Sequence, residues 1–143
     1  MNNKNMLTIA AVIIVAVLGI GYSSGMFNSA DNKAGSAEGQ PTVKVVVPSL
    51  GQVAKLGEGD FNANCAACHG KNAAGTGNGP PLIHRIYEPN HHADIAFKLA
   101  ANRGVRSHHW GFGNMPAQPQ VKDFELVRIV AYVRELQKAN GIF

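Results

Sequence analysis

Cys65 and Cys68 are the only cysteines in a chain of 143 residues, and they stand in the run Cys65-Ala66-Ala67-Cys68-His69. Two thiols three positions apart, with an imidazole directly after, are suited to a zinc half-site, a redox dithiol, a plain disulfide or attachment of a haem. A zinc site draws its remaining ligands from a second close-spaced pair. No second cysteine pair exists, and the His91-His92 and His108-His109 pairs are adjacent residues rather than the spaced histidines of a finger. A thioredoxin-like dithiol expects a βαβ context, whereas the flanking sequence reads helical. C-x-x-C-H is the attachment pattern of c-type haem, with two thioethers to the vinyl groups and the imidazole as an axial iron ligand. We favour that reading, with dithiol and zinc as its alternatives.

A second candidate is Met115, in the loop sequence Asn114-Met115-Pro116. A methionine after a helix and before a proline is oddly placed for a core residue. Its thioether is a good iron ligand, and His/Met ligation raises a haem potential into the electron-transfer range. Apolar filler under a loop is the plainer account of the same residue. Five histidines lie beyond His69: His84, His91, His92, His108 and His109. The plain reading makes them loop and surface groups, some tying propionates or backbone. The sharper ones are bis-His ligation in place of Met115, or a second metal site for copper or zinc. The two pairs flank one helical segment, and spacing alone does not show whether they meet.

Three helical patterns would position these groups. Ser49 is a plausible N-cap for the first, whose Leu50, Val53, Ala54, Gly57 and Phe61 share one face and run into Cys65. The second covers about Ala93 to Arg103, with Ile95, Ala96 and Leu99 on one side and Gly104 as its stop. The third runs from about Asp123 to Ala139. Its Leu126, Ile129, Val130, Val133 and Leu136 form a stripe, with Asp123 and Glu125 in the first turn and Lys138 in the last. No convincing hairpin appears, so the predicted fold class is all-α. Long Gly- and Pro-rich loops at Gly70–Pro89 and Val105–Gln120 have no packing reason for their length unless they wrap something.

The rest of the chain divides into an anchor, 1–22, a flexible tether, 23–48, and the haem domain, 49–143. Met6 to Tyr22 is a run of seventeen residues without charge, about 25 Å as a helix and at the short end for a bilayer crossing. An uncleaved signal anchor is favoured over a cleaved signal peptide, because the run is long and the small residues Ser23-Ser24-Gly25 make an indifferent cleavage site. With Lys4 inside, the domain faces the exported side. The tether is rich in Gly, Ser, Ala and Asn. Thr42 to Val47 is β-branched, but it is short and reads as an extended segment lying on the domain rather than as part of a sheet. A net charge of +4 without a basic run carrying interleaved aromatics argues against nucleic-acid binding. It gives only weak steering toward acidic partners.

The domain resembles a short bacterial class I cytochrome c over about Gly57 to Leu136. Five motifs in order carry the resemblance: Gly57 with Phe61, Cys65-Ala-Ala-Cys68-His69-Gly70, Gly79-Pro80-Pro81-Leu82, Asn114-Met115-Pro116 after Gly104, and Ala131-Tyr132-Val133-Arg134-Glu135-Leu136. The resemblance implies one haem c attached at Cys65 and Cys68, with His69 and Met115 as iron ligands. It implies that the Pro80 carbonyl accepts from His69 Nδ1–H, that Leu82 packs on the haem edge, and that the terminal helices cross near Gly57 with Phe61 on Tyr132. Trp110 or Arg106 would be candidates to meet a propionate. The expected function is a mono-haem carrier of single electrons rather than an enzyme. It would be held at a bacterial inner membrane with its domain in the periplasm, or soluble there after signal cleavage. Its expected partners are a quinol-oxidising complex and a terminal oxidase or reductase of a respiratory chain. The alternatives are a haem enzyme or gas or redox sensor with an open distal site, and a periplasmic metal-binding protein using the histidine pairs.

Overall fold

In the computed structural model, which describes residues 42–143, two helices cross at a glycine. These are α1 (Gln52–Asn64) and, at the far end of the chain, α4 (Asp123–Ala139). A β-carbon on Gly57 would lie 1.9 Å from the Arg128 carbonyl oxygen, so only hydrogen fits between the two backbones. One turn further on, the Phe61 and Tyr132 rings pack at 5.5 Å and 56°, both fully buried, within the range of favourable aromatic pairs. Arg128 grips Asp60 with two bonds of 2.7 and 3.1 Å beside the same crossing. The α4 stripe is buried as its periodicity predicts, from Leu126 through Ile129, Val130 and Val133 to Leu136.

The start of α1 differs from expectation. Gly51, not Ser49, is its N-cap, and the Gly51 N–H donates to the Glu135 carboxylate at 2.9 Å. Val53 is 52% exposed, leaving Ala54, Gly57 and Phe61 as the buried stripe. Close approach of α4 at Gly57 narrows the contact to these three residues. The helix bends at Cys65 (φ −122°, ψ −30°) into the short α2 (Ala66–His69), and Lys71–Ala73 and Arg85–Tyr87 form single 3-10 turns.

Helix α3 (Asp94–Arg103) packs on α4 with a rotation that its apolar pattern does not predict. Ile95 is 58% exposed, while Ala101 is buried and Phe97 packs against the core. Asp94 pairs with Arg134 of α4 at 2.8 Å, and the same guanidinium lies 4.9 Å above the Phe97 ring. These α4 contacts set the rotation. Gly104 ends α3 at φ 74°, as expected for a C-terminal glycine.

Among the described residues there are isolated bridges, Thr76 with Gly79 and Val105 with Met115, but no strand. Residues 42–50 run extended along the domain. Thr42 N–H and Val43 N–H both donate to the Ala74 carbonyl, and Asn140 exchanges two side-chain bonds with the Val46 backbone. The predicted anchor, 1–22, and the tether as far as residue 41 lie outside the described residues. No helix among those described is long and apolar enough to cross a membrane.

Candidate functional site

A cavity of about 430 Å³ opens between α1, α3, α4 and the two long loops. Its walls are mainly apolar: Phe61 and Leu82 on one side, Leu99 and Val105 on another, Leu126, Ile129 and Val130 from α4. Cys65, His69, Pro80 and Met115 line the same space, so that with Leu82 five of the six candidate site residues converge on it. Cys68, one turn after Cys65, is exposed and does not line the cavity.

His69 is oriented by its second nitrogen. Its Nδ1 lies 2.9 Å from the Pro80 carbonyl oxygen. A carbonyl only accepts, so the proton resides on Nδ1 and Nε2 keeps a bare lone pair. Burial pushes the His69 pKa down, and the Pro80 bond opposes it in the smaller part. The result is a neutral imidazole, the form that binds metal. Around it the backbone is tightly tied. Gly75 N–H donates to the His69 carbonyl at 2.7 Å, and Thr76 Oγ1–H donates to the Cys68 carbonyl at 2.6 Å. A β-carbon on Gly79 would meet that Cys68 carbonyl at 2.9 Å, which explains a glycine ahead of Pro80.

The Cys65 thiol is pushed up to about 11, first by burial and then by the neighbouring Cys68. Reactive dithiols have depressed pKa values. Cys65 has the opposite setting, which weighs against the redox reading of this pair.

Met115 reaches the same cavity on the loop that follows α3. Its backbone N–H and carbonyl pair with Val105 at 2.9 Å each, and Asn114 Oδ1 accepts from Ser107 N–H at 2.9 Å. Gly104 is needed twice here: its φ is positive, and a β-carbon would lie 2.6 Å from the Met115 carbonyl oxygen. Helix end and methionine are thereby held in one register.

The sequence model of the cytochrome c family matches residues 54–137, from the first turn of α1 nearly to the end of α4. The chain belongs to the cytochrome c family. A cytochrome c domain is a haem-binding electron carrier with covalently attached haem c, and the mainly helical fold described above is consistent with it. No curated protein and no solved structure gives a match to the chain.

The residues present fit that group. The cavity lies within the usual range for cofactor sites. Its lining is mainly apolar and carries the His69 imidazole, the Met115 thioether and one of the two thiols, with His92, His108 and His109 also on it; the second thiol is exposed and lies off the lining.

Several residues that shape this cytochrome c site are not evident from motif spacing. Gln137, fully buried on α4, donates to the carbonyls of Leu82 and Tyr87 at 2.9 and 3.1 Å. Arg134 donates to Tyr87 O at 2.8 Å and also to His92 O. Read along the helix, both look like polar-face residues; burial of a polar side chain three residues from an arginine shows only in three dimensions. Trp110 lines the cavity, but its N–H is engaged by Tyr87 Oη at 3.0 Å. Arg106 is not part of the lining, and its carbonyl accepts from His108 Nδ1–H. His84 packs edge-on against Trp110 at 5.0 Å, and its Nδ1 accepts from Ile86 N–H.

Proposed function

We propose that this cytochrome c is a six-coordinate, mono-haem carrier of single electrons with no substrate-binding position at its iron. The supporting observation is the placement of His69 and Met115 on one cavity, each fixed by its own backbone network. Cys65 and Cys68 are the attachment residues, His69 Nε2 and the Met115 sulfur are the iron ligands, Pro80 holds the His69 tautomer, and Leu82 packs against the ring. Haem c supplies a one-electron Fe(II)/Fe(III) couple when bound. The protein excludes water from the iron with its apolar walls, keeps His69 neutral, and occupies the sixth position with a soft thioether.

The finer reading places this carrier in a respiratory chain of a bacterial inner membrane, taking electrons from a quinol-oxidising complex and delivering them to a terminal oxidase or reductase. It rests on the uncharged run from Met6 to Tyr22 and the polar stretch after it. N-terminal sequencing of protein extracted from membranes decides between a retained anchor and a soluble periplasmic form.

The ligand assignment is tested by absorption spectra of the haem-loaded protein. The ferric form should show the weak far-red band of methionine-ligated iron, the ferrous form should not bind carbon monoxide, and Met115→Ala should reverse both. Carbon monoxide binding by the unsubstituted protein would instead favour an enzyme or sensor with an open distal site.

A further inference from the structure

The histidine pairs on either side of α3 meet in space. His91 and His92 precede the helix, His109 follows it, and the three ring centroids lie 4.7 to 5.4 Å apart. One ring nitrogen from each of these three residues lies within 4.8 Å of the other two. Nδ1 of His91 and Nδ1 of His92 both donate to the Ile86 carbonyl, at 2.9 and 2.5 Å. As at His69, a carbonyl partner places the proton on Nδ1 and leaves Nε2 bare. A backbone carbonyl on one ring nitrogen is the usual support of a metal-binding histidine, because it fixes both tautomer and ring direction.

The two segments are also braced against each other. Trp110, next to His109, donates to Tyr87 Oη at 3.0 Å, and Arg134 holds the His92 carbonyl from α4. No carboxylate among the described residues is paired with or hydrogen-bonded to any of these rings. The donor set is therefore three imidazoles, which suits zinc, copper or nickel and not magnesium or calcium.

We propose that His91, His92 and His109 form a binding site for a divalent late transition-metal ion at the rim of the haem cavity, which His92 and His109 also line, with ligands other than His69 and Met115. Metal–nitrogen bonds of about 2.0–2.1 Å in a tetrahedron put ligand nitrogens about 3.4 Å apart. Closing from 4.8 Å requires movement of roughly an ångström, which falls to the exposed His109 side chain, since His91 and His92 are held by the Ile86 carbonyl. A fourth position is left for water. This assignment rests on the proposed function in one respect: Met115, and not one of the cavity histidines, is the second iron ligand.

Calorimetric titration of the full haem-loaded chain with zinc chloride tests this. One zinc per haem should bind saturably. His91→Ala and His109→Ala should each weaken binding at least tenfold while the haem spectrum, which reports folding, stays unchanged. His84→Ala should bind zinc as the parent does. Absence of saturable uptake by the parent, as when haem propionates engage the same imidazoles, would overturn the proposal. So would affinity unaltered in both variants.

Discussion

Gly57→Ala should separate α1 from α4, and Gly59→Ala in the same helix provides the matched control. At Gly57 the added methyl would stand 1.9 Å from the Arg128 carbonyl oxygen and 3.0 Å from the Ile129 nitrogen. Both are backbone atoms, so no side-chain rotation relieves the contact. Restoring an ordinary separation of about 3.3 Å moves the helices apart by roughly 1.4 Å, and a gap of 0.5–1 Å already forfeits a quarter to a half of a dispersion contact. Phe61, Tyr132, Val133 and Leu136, all fully buried, are the side chains that lose contact. Overpacking of this kind costs about 1–3 kcal/mol, more where the backbone must yield. Because only backbone can yield here, the upper end applies; Gly→Ala in a helix interior returns about 0.8–1 kcal/mol of propensity, which leaves a net loss of about 2 kcal/mol. At Gly59 nothing lies within 4 Å of the added carbon, and only the propensity gain of up to about 1 kcal/mol remains. Guanidinium unfolding of the haem-loaded proteins should thus shift the midpoint down for Gly57→Ala and up for Gly59→Ala, at equal slope. Shifts of the same sign and size would refute the close crossing.

Three further outcomes follow from the same packing. A double-mutant cycle on Asp60 and Arg128, a two-bond pair with side chains only 16% and 27% exposed, should give a coupling of about 1 kcal/mol, smaller at high salt. Gln137→Leu should cost about 1–3 kcal/mol by unfolding titration, because the Leu82 carbonyl loses its donor; Tyr87 keeps Arg134 and adds little. Burial, and then the Glu58 carboxylate, push the Tyr132 phenol up to about 12, whereas in the unfolded chain it ionises near 10. The unfolded state therefore releases this proton first. Stability contributed by the neutral phenol is complete below about pH 10 and is lost as pH rises toward 12, by at most about 3 kcal/mol in all. Unfolding curves of Tyr132→Phe should lack that component of the alkaline slope.

What could be read from the sequence is what depends on near neighbours. The α4 stripe and the Gly104 stop are set within a few residues of themselves, and each appears where its spacing predicts. The features that were not legible are settled by distant partners. Ser49 has the chemistry of an N-cap, but Glu135, 84 positions away, serves the Gly51 amide and moves the start of α1. Ile95 belongs to a plausible apolar face, yet Asp94 and Phe97 engage Arg134, and that rotation leaves Ile95 in solvent. Likewise the histidine pairs are separated by all of α3, so their convergence depends on two loops and not on any spacing.

Both walls of the haem cavity are referred to a single turn of α4, which bears on why the loops can be so long. Gln137 and Arg134 hold carbonyls of Leu82, Tyr87 and His92, and so fix the segment that begins at Pro80, the acceptor for His69. Arg134 also pairs with Asp94, which sets α3 and, through Gly104 and Val105, the strand of loop that presents Met115. Loops of this length close at an entropic cost that rises only slowly with length; without anchors, however, they would sample many positions of the two proposed ligands. Backbone carbonyls are the economical anchors, since every residue has one and the side chains stay free to face the cavity. A disturbance of Arg134 should accordingly be felt on the His69 side and the Met115 side together. Loss of the salt bridge with Asp94 alone should be felt on the Met115 side only, because the bonds from Arg134 to Tyr87 and His92 do not pass through Asp94.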